Sequence, residues 1–187
     1  MKLIITIITL LLYMPSIHSQ QWSAMTAKNV ELKILGTSSV HDWESIVETV
    51  SVEAELWIEE GEIKGIQHAQ FVAHSKSIES GKSIMNGKIY DAIEVETYPE
   101  INFQFLEMNR LSEQEVEITG NLNLAGVSKK VTVVSRYEPQ TEGVRFAGNY
   151  TLDMRDYNID PPTAMMGTLK TGALVDLNFS FVFEPTK

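Results

Sequence analysis

Residues 115–134, Glu-Val-Glu-Ile-Thr-Gly-Asn-Leu-Asn-Leu-Ala-Gly-Val-Ser-Lys-Lys-Val-Thr-Val-Val, decide how the rest of the chain is read. Val116, Ile118, Leu122 and Leu124 sit at even spacings, with Glu117, Thr119, Asn121 and Asn123 between them. That is the period of a strand with one dry face and one wet face. Val131 and Val133 resume the pattern on either side of Thr132. The run Ala125-Gly126-Val127-Ser128 between them contains the glycine a tight connection needs, so the spacing predicts a β-hairpin.

The same period extends outward in both directions. Val30, Leu32 and Ile34 alternate with Glu31 and Lys33, and Gly36-Thr-Ser-Ser breaks or bends that run. Val40 to Trp57 reads as one long, mostly extended stretch in which Trp57 falls on the otherwise polar face. Gly61 turns the chain into a strand over Ile63 to Ser75. Over Lys82 to Glu94 the period changes, with Ile84, Met85, Tyr90 and Ile93 close to one face, which predicts a short helix closing one end of the fold. Pro99 bars its continuation, and Ile101, Phe103 and Phe105 alternate again. A strand through Val144, Phe146 and residues 148–154 precedes a long loop over Asp156 to Gly172. Val175, Leu177, Phe179, Phe181 and Phe183 then form the cleanest alternation in the chain. About eight antiparallel strands and one short helix predict an all-β chain, a closed barrel or a sandwich.

Two segments carry a family resemblance. Gly120 to Val131 resembles the GxLxxxGVxKxV signature of the YceI-like family, lipocalin-like proteins associated with polyisoprenoid binding. Ile89-Tyr-Asp-Ala-Ile93 leading into Tyr98-Pro-Glu-Ile-Asn-Phe103 is similar to that family's short helix followed by a YPxIxF strand, and Ser75-Lys-Ser-Ile78 falls in the family's order. The resemblance implies an eight-stranded antiparallel lipocalin-like β-barrel and a polyisoprenoid-type lipid, quinone-like or polyprenyl, as ligand. In the family an aromatic–glycine pair opens the long loop, where this chain has Tyr157-Asn158-Ile159.

Alternation also assigns an interior. Phe71, Phe103, Phe105, Leu122, Leu124, Val131, Val133, Phe146, Leu177, Phe179 and Phe181 are expected to point inward, joined by Trp43 near the rim. With around eight strands such an interior is either filled by side chains or just able to hold one small ligand. The periodicity leaves both readings open; the family resemblance implies the hollow one, with these residues as the ligand-binding wall. Met165 and Met166 on the long loop are expected to form a lid, since methionine adapts its shape to apolar surfaces.

Composition narrows the partners. The 187 residues are 43% hydrophobic, enough for a sizeable core in one domain. A formal charge of −10 argues against nucleic acid or an anionic membrane surface as the main partner. Residues 1–19 read as a signal peptide, with Lys2 before the apolar run Leu3 to Met14, which falls short of the roughly 20 residues a membrane span needs. Cleavage after Ser19 would leave residues 20–187 as a single periplasmic domain with no integral membrane segment, its oligomeric state open. There is no cysteine, so disulfides, thiol catalysis and thiolate metal sites are excluded together.

His41-Asp42-Trp43-Glu44, after Ser38-Ser39, could serve a hydrolase or a metal, but strand neighbours point to opposite faces, so His41 and Asp42 cannot both face one site without a bulge. His68 and His74, six residues apart on one expected strand, are roughly 20 Å apart and cannot share a metal. Gly81-Lys82-Ser83 lacks the first glycine of a phosphate loop, because Lys76 stands there. The reading is therefore a non-enzymatic lipid carrier without metal or cofactor. A solid-core structural or stress-response module and a lipid-modifying enzyme using His41 and Asp42 are the alternatives.

Overall fold

The hairpin forms as β7 (Glu115–Leu124) and β8 (Val127–Gln140), paired in continuous register from Glu115↔Arg136 to Leu124↔Val127. Its turn is two residues long, with Ala125 at φ 48° and Gly126 at φ 75°. Two successive left-handed residues match the right-handed twist of the flanking strands. Gly126 is needed for a second reason: a Cβ there would stand 2.5 Å from Tyr98 Cζ. The two sequence signatures therefore touch, the tyrosine of one lying on the glycine of the other.

The computed structural model describes residues 20–164 and 167–186, and the expected signal peptide lies outside them. The remaining strands are β1 (Trp22–Ser38), β2 (Trp43–Val47), β3 (Val50–Glu59), β4 (Glu62–His74), β5 (Ile78–Glu79), β6 (Glu100–Arg110), β9 (Gly143–Asp153), β10 (Thr163–Ala164) and β11 (Leu169–Pro185). The helix α1 spans Ser83–Ala92 between β5 and β6. The sheet order β11-β9-β8-β7-β6-β4-β3-β1 returns on itself because β1 also pairs with β11, which closes an eight-stranded antiparallel barrel. The short strands β2, β5 and β10 are additions at its rim. No helix among the described residues is long and apolar enough to cross a membrane.

Register gives the barrel two different ends. The turns at 60–61, 111–114 and 141–142 and the start of β1 gather at one end. Leu56, Ile63, Val116, Tyr137, Val144, Phe146 and Phe183 are buried together there and form a solid floor. Tyr137 lies under it and its hydroxyl donates to Glu113 O at 2.6 Å. The other end carries the 125–126 turn, β2, β5, α1 and the segment after β9. A second apolar cluster, including Val47, Ile78, Ile93, Leu124, Met154 and Ile159, packs around that rim.

Several boundaries differ from the periodicity reading. The stretch Val40–Trp57 is two strands: both lie against the same edge of β1, β3 beside its beginning (Trp22↔Trp57) and β2 beside its end (Lys33↔Ile46). The chain must step between them at Glu48-Thr49, where the Glu48 N–H bonds Ser77 O at 3.0 Å and the Thr49 N–H bonds Ser77 Oγ at 3.1 Å. β1 begins at Trp22 rather than Val30, absorbs a bulge between Lys28 and Glu31 at Asn29 (φ 50°), and runs through Gly36, over which the Trp43 indole lies. The long loop is shorter than expected, because β11 starts at Leu169. Trp57 sits on the outer face for a reason: it meets Trp22 at 6.3 Å between ring centroids, and the Trp22 ring covers Gly65.

Gly126→Ala places a side chain at positive φ and against the Tyr98 ring, and is expected to destabilise by about 2–4 kcal/mol in urea unfolding. In a double-mutant cycle Tyr98→Ala should recover part of that loss. Strict additivity would mean the ring contact contributes nothing.

Candidate functional site

Between the floor and the rim the barrel encloses a cavity of about 810 Å³. Its wall is assembled from alternate positions of all eight barrel strands. Phe71 comes from β4, Phe103 and Phe105 from β6, Leu122 and Leu124 from β7, and Val131 and Val133 from β8. Phe146 comes from β9, and Leu177, Phe179 and Phe181 from β11. Trp43 reaches in from β2, its Nε1 donating to Thr37 O at 3.2 Å. All twelve side chains that alternation placed inward thus line one space. Phe146 also belongs to the floor, with ring centroids 5.7 Å from Phe181 and 5.6 Å from Phe183.

Two glycines explain why so many aromatic rings leave a void. Gly120 shares the inner face of β7 with Ile118 and Leu122, and the Phe103 ring and the Gln104 carbonyl occupy the space its Cβ would take. Gly148 lies on the inner face of β9 between Phe146 and Tyr150, and a Cβ there would stand 2.7 Å from Phe179 Cζ. A ring that lies flat over a neighbouring glycine covers the wall instead of crossing the lumen. The expectations from sequence named the phenylalanines but not the glycines, because the fit is between strands.

The wall has further members that the sequence reading left out. Val30, Leu32 and Ile34 from β1, Ile101 from β6, and Tyr150 and Leu152 from β9 alternate with polar residues just as the named ones do, so the signal was present. Met85, Ile89 and Ala92 of α1 complete the wall at the mouth, where helical rather than alternating spacing applies. Most polar lining residues gather at the same end, Ser38, His41, Lys82, Ser83, Lys88, Thr163 and Thr171, while Gln70 of β4 and Ser135 of β8 lie along the barrel wall. Met165 and Met166 lie outside the described residues.

His41 and Asp42 do not alternate across a strand, as the sequence reading assumed. They stand in the turn between β1 and β2, and both line a small depression beside the mouth with Glu44, Ser80 and Lys82. The His41 ring is nevertheless 2.8 Å (Nδ1) from the backbone carbonyl of Asp42 rather than from its carboxylate. His68 occupies a bulge at φ 50° and contacts Glu55 at 3.2 Å on the outside. Among the described residues no three histidines or carboxylates stand close enough to hold a metal ion.

Below the rim on the β9 side, burial raises the Tyr157 phenol to about 12, with Tyr150 and Asp156 adding to it. The Tyr157 hydroxyl is buried and has no hydrogen-bond partner in the structure. Tyr150, which lines the cavity, is raised from 10.0 mainly by burial as well.

Two outcomes follow for variants of this wall. Gly148→Ala should cost about 1–3 kcal/mol in urea unfolding and push the Phe179 ring into the lumen; an unchanged midpoint would mean that ring and wall adjust freely. Tyr157→Phe removes an orphaned hydroxyl and should be neutral or stabilising by about 1 kcal/mol at pH 7. Because the folded phenol ionises later than the unfolded one, stability present below pH 10 is lost as pH rises from 10 toward about 12. That alkaline slope should be shallower in Tyr157→Phe than in the parent.

Comparison with known proteins places this geometry. In solved structures the fold is similar to BcnA of Burkholderia cenocepacia, with a TM-score of 0.70 at 16% identity, covering 82% of this chain and 95% of that one. It is likewise similar to a polyisoprenoid binding domain from Saccharophagus degradans implicated in plant cell wall breakdown, with a TM-score of 0.69 at 16% identity, covering 89% and 100%. Among curated sequences, a UPF0312 protein of Pseudomonas putida (strain W619) is 31% identical over 85 residues, covering 42% of this chain and 44% of the relative. Another, from Pseudomonas savastanoi pv. phaseolicola, is 30% identical over 97 residues, covering 49% and 47%. The chain spans about half the length of the curated relatives it matches. A family model described as the YceI-like domain matches residues 22–183, and the chain therefore belongs to the YceI-like family.

Proposed function

We propose that this protein is an exported carrier that sequesters an amphiphilic polyisoprenoid-type lipid, quinone-like or polyprenyl, with its apolar chain inside the barrel. The observation that carries the reading is the cavity of about 810 Å³, walled by Phe71, Phe103, Leu122, Val131, Phe179 and their neighbours. A cavity of this size and lining suits one small, mainly apolar ligand. Each methylene transferred there from water contributes about 0.8 kcal/mol. The Saccharophagus degradans neighbour, whose description names polyisoprenoid binding, supports the ligand class.

Ligand entry is from the rim, since the opposite end is filled by Leu56, Ile63, Val116 and Phe146. The protein binds rather than turns over: His41 at the mouth meets a backbone carbonyl, not a carboxylate that would activate it as a base. The apolar N-terminal run and the lack of cysteine support export to a periplasm, with the working domain starting near Gln20.

Native mass spectrometry of protein purified from a periplasm without detergent tests the reading. The expected spectrum shows a chain beginning near Gln20 plus a discrete adduct that extracts as an isoprenoid or acyl lipid. Leu122→Trp, which fills the lumen, should lower occupancy about tenfold or more, as expected for loss of a few buried methylenes. A clean apo mass, persisting after incubation with quinones and polyprenyl lipids, would overturn the carrier reading.

A further inference from the structure

One seam of the barrel wall is only partly hydrogen-bonded. β4 and β6 pair from His74↔Glu100 at the rim to Gln70↔Gln104, and no further. Below that level residues 62–69 of β4 and 105–110 of β6 have no ladder partner across the seam. Two bulges account for the parting. His68 on β4 sits at φ 50°, where the pairing with β3 shifts between Glu53 and Glu55. The pairing of β6 with β7 shifts between Phe105 and Glu107, at Leu106. A bulge bends its strand and increases the local twist, and here one stands on each side of the seam just past the last pair. At the floor end the two strands are tied again by Arg110, whose Nη1 donates to Glu62 Oε2 at 2.7 Å. β8 and β9 also part, above Ser135↔Gly148, but that gap is packed. The turn Met154–Tyr157 buries Met154 and Tyr157 beside it, and Lys129 of β8 meets Asp156 at 3.4 Å. On the lip of the β4–β6 gap, by contrast, Leu106 is 48% exposed.

The cavity reaches this gap. Ile66 and Ala69 of β4 and Phe105 of β6 line it from either side. Gln70 lines it as well, although its side chain is exposed on the outer face between the inward Ala69 and Phe71. A residue of the outer face borders a lumen where that lumen extends into the wall. Outside, the surroundings are apolar on both sides: Leu106 on the β6 lip, and on β4 the bare Gly65 under the Trp22 ring, which meets Trp57 at 6.3 Å. We propose that the gap between β4 and β6 is a lateral portal through which the chain of the bound lipid leaves the lumen, so that the protein accepts chains longer than its cavity. The inference rests on the carrier reading and names the ligand within it as a long-chain lipid. A chain that enters from the rim and outgrows the lumen meets the floor of Leu56, Ile63, Val116 and Phe146 and turns to the side. It passes Ile66, Ala69 and Phe105 and emerges beside Leu106. Because it crosses the wall at one level, the remaining backbone N–H and C=O groups of the two edges keep their water.

The sequence has no cysteine, so a single introduced thiol reports on one place. Leu106→Cys marks the portal, Ile84→Cys the rim, and Val134→Cys the outside of β8; all three side chains are exposed, so the packed core is untouched. Alkylation by a water-soluble maleimide is timed for each variant alone, with geraniol as the short polyprenol, and with solanesol as the long one, occupancy being read by native mass spectrometry. Bound solanesol should slow alkylation of Leu106→Cys about tenfold, because a thiol covered by an apolar chain loses access and thiolate character. Geraniol, which fits within the lumen, should leave that rate unchanged, and neither alcohol should protect Val134→Cys. Bound solanesol with Leu106→Cys unprotected overturns the inference and leaves the carrier reading standing; protection of Ile84→Cys in its place shows the chain leaving by the mouth. Equal protection of Leu106→Cys by both alcohols, or of Val134→Cys and Leu106→Cys by solanesol, overturns it as well. Binding of neither alcohol overturns the carrier reading together with the portal.

Discussion

The structure depends on the pairing of β1 with β11. These two strands meet from Met25↔Pro185 at the floor to Ser38↔Thr171 at the rim, joining the beginning of the described chain to its end. Until that seam forms, the sheet has two open edges, and the apolar faces of its eight strands have no shared interior. Once it forms, every inward residue gains neighbours across the lumen, and the edges disappear. The contacts have very large sequence separation, so closing the seam costs loop entropy before it yields burial. The aromatic ladder of β11, in which Phe179, Phe181 and Phe183 follow one another at ring-centroid distances of 6.1 and 5.1 Å, stands on the strand that makes the closure.

Within the closed wall, the division between floor and cavity comes from side-chain volume. At the floor, large side chains face one another without relief: Leu56, Ile63, Tyr137 and Phe146 are all almost fully buried. Higher up, Gly120 and Gly148 lie under Phe103 and Phe179, and the rings turn along the wall. The same alternating pattern therefore gives a plug at one end and a lumen above it.

The mouth is held by different forces. The helix α1 is not a strongly amphipathic element resting on a large apolar seat; it is stitched in place by hydrogen bonds. The Tyr90 hydroxyl donates to the carbonyls of Lys76 and Ile78, at 2.9 and 3.0 Å. Asn86, buried, donates to Glu79 at 2.7 Å and accepts from the Ser80 hydroxyl at 2.6 Å. The bond from Asn86, followed by the backbone N–H groups of Gly81 and Ser80, holds the Glu79 carboxyl below its ordinary range. An element anchored this way keeps its orientation while presenting Met85, Ile89 and Lys88 to the cavity.

By itself the sequence determined the strands, their inner faces and the hairpin turn. Alternation with a period of two is a local property, and Gly126 at positive φ is required by a two-residue connection whatever surrounds it. The inner wall was legible for the same reason, from Phe71 on β4 to Phe181 on β11. Only the tertiary structure decided that Val40–Trp57 is two strands sharing one edge of β1, that bulges at Asn29 and His68 reset the register, and that Trp57 belongs outside against Trp22. Only it decided that the barrel is hollow. Whether a phenylalanine fills or lines a barrel depends on the residue facing it from the next strand. Gly120 under Phe103 and Gly148 under Phe179 are pairings between residues far apart in the chain, which no local period records.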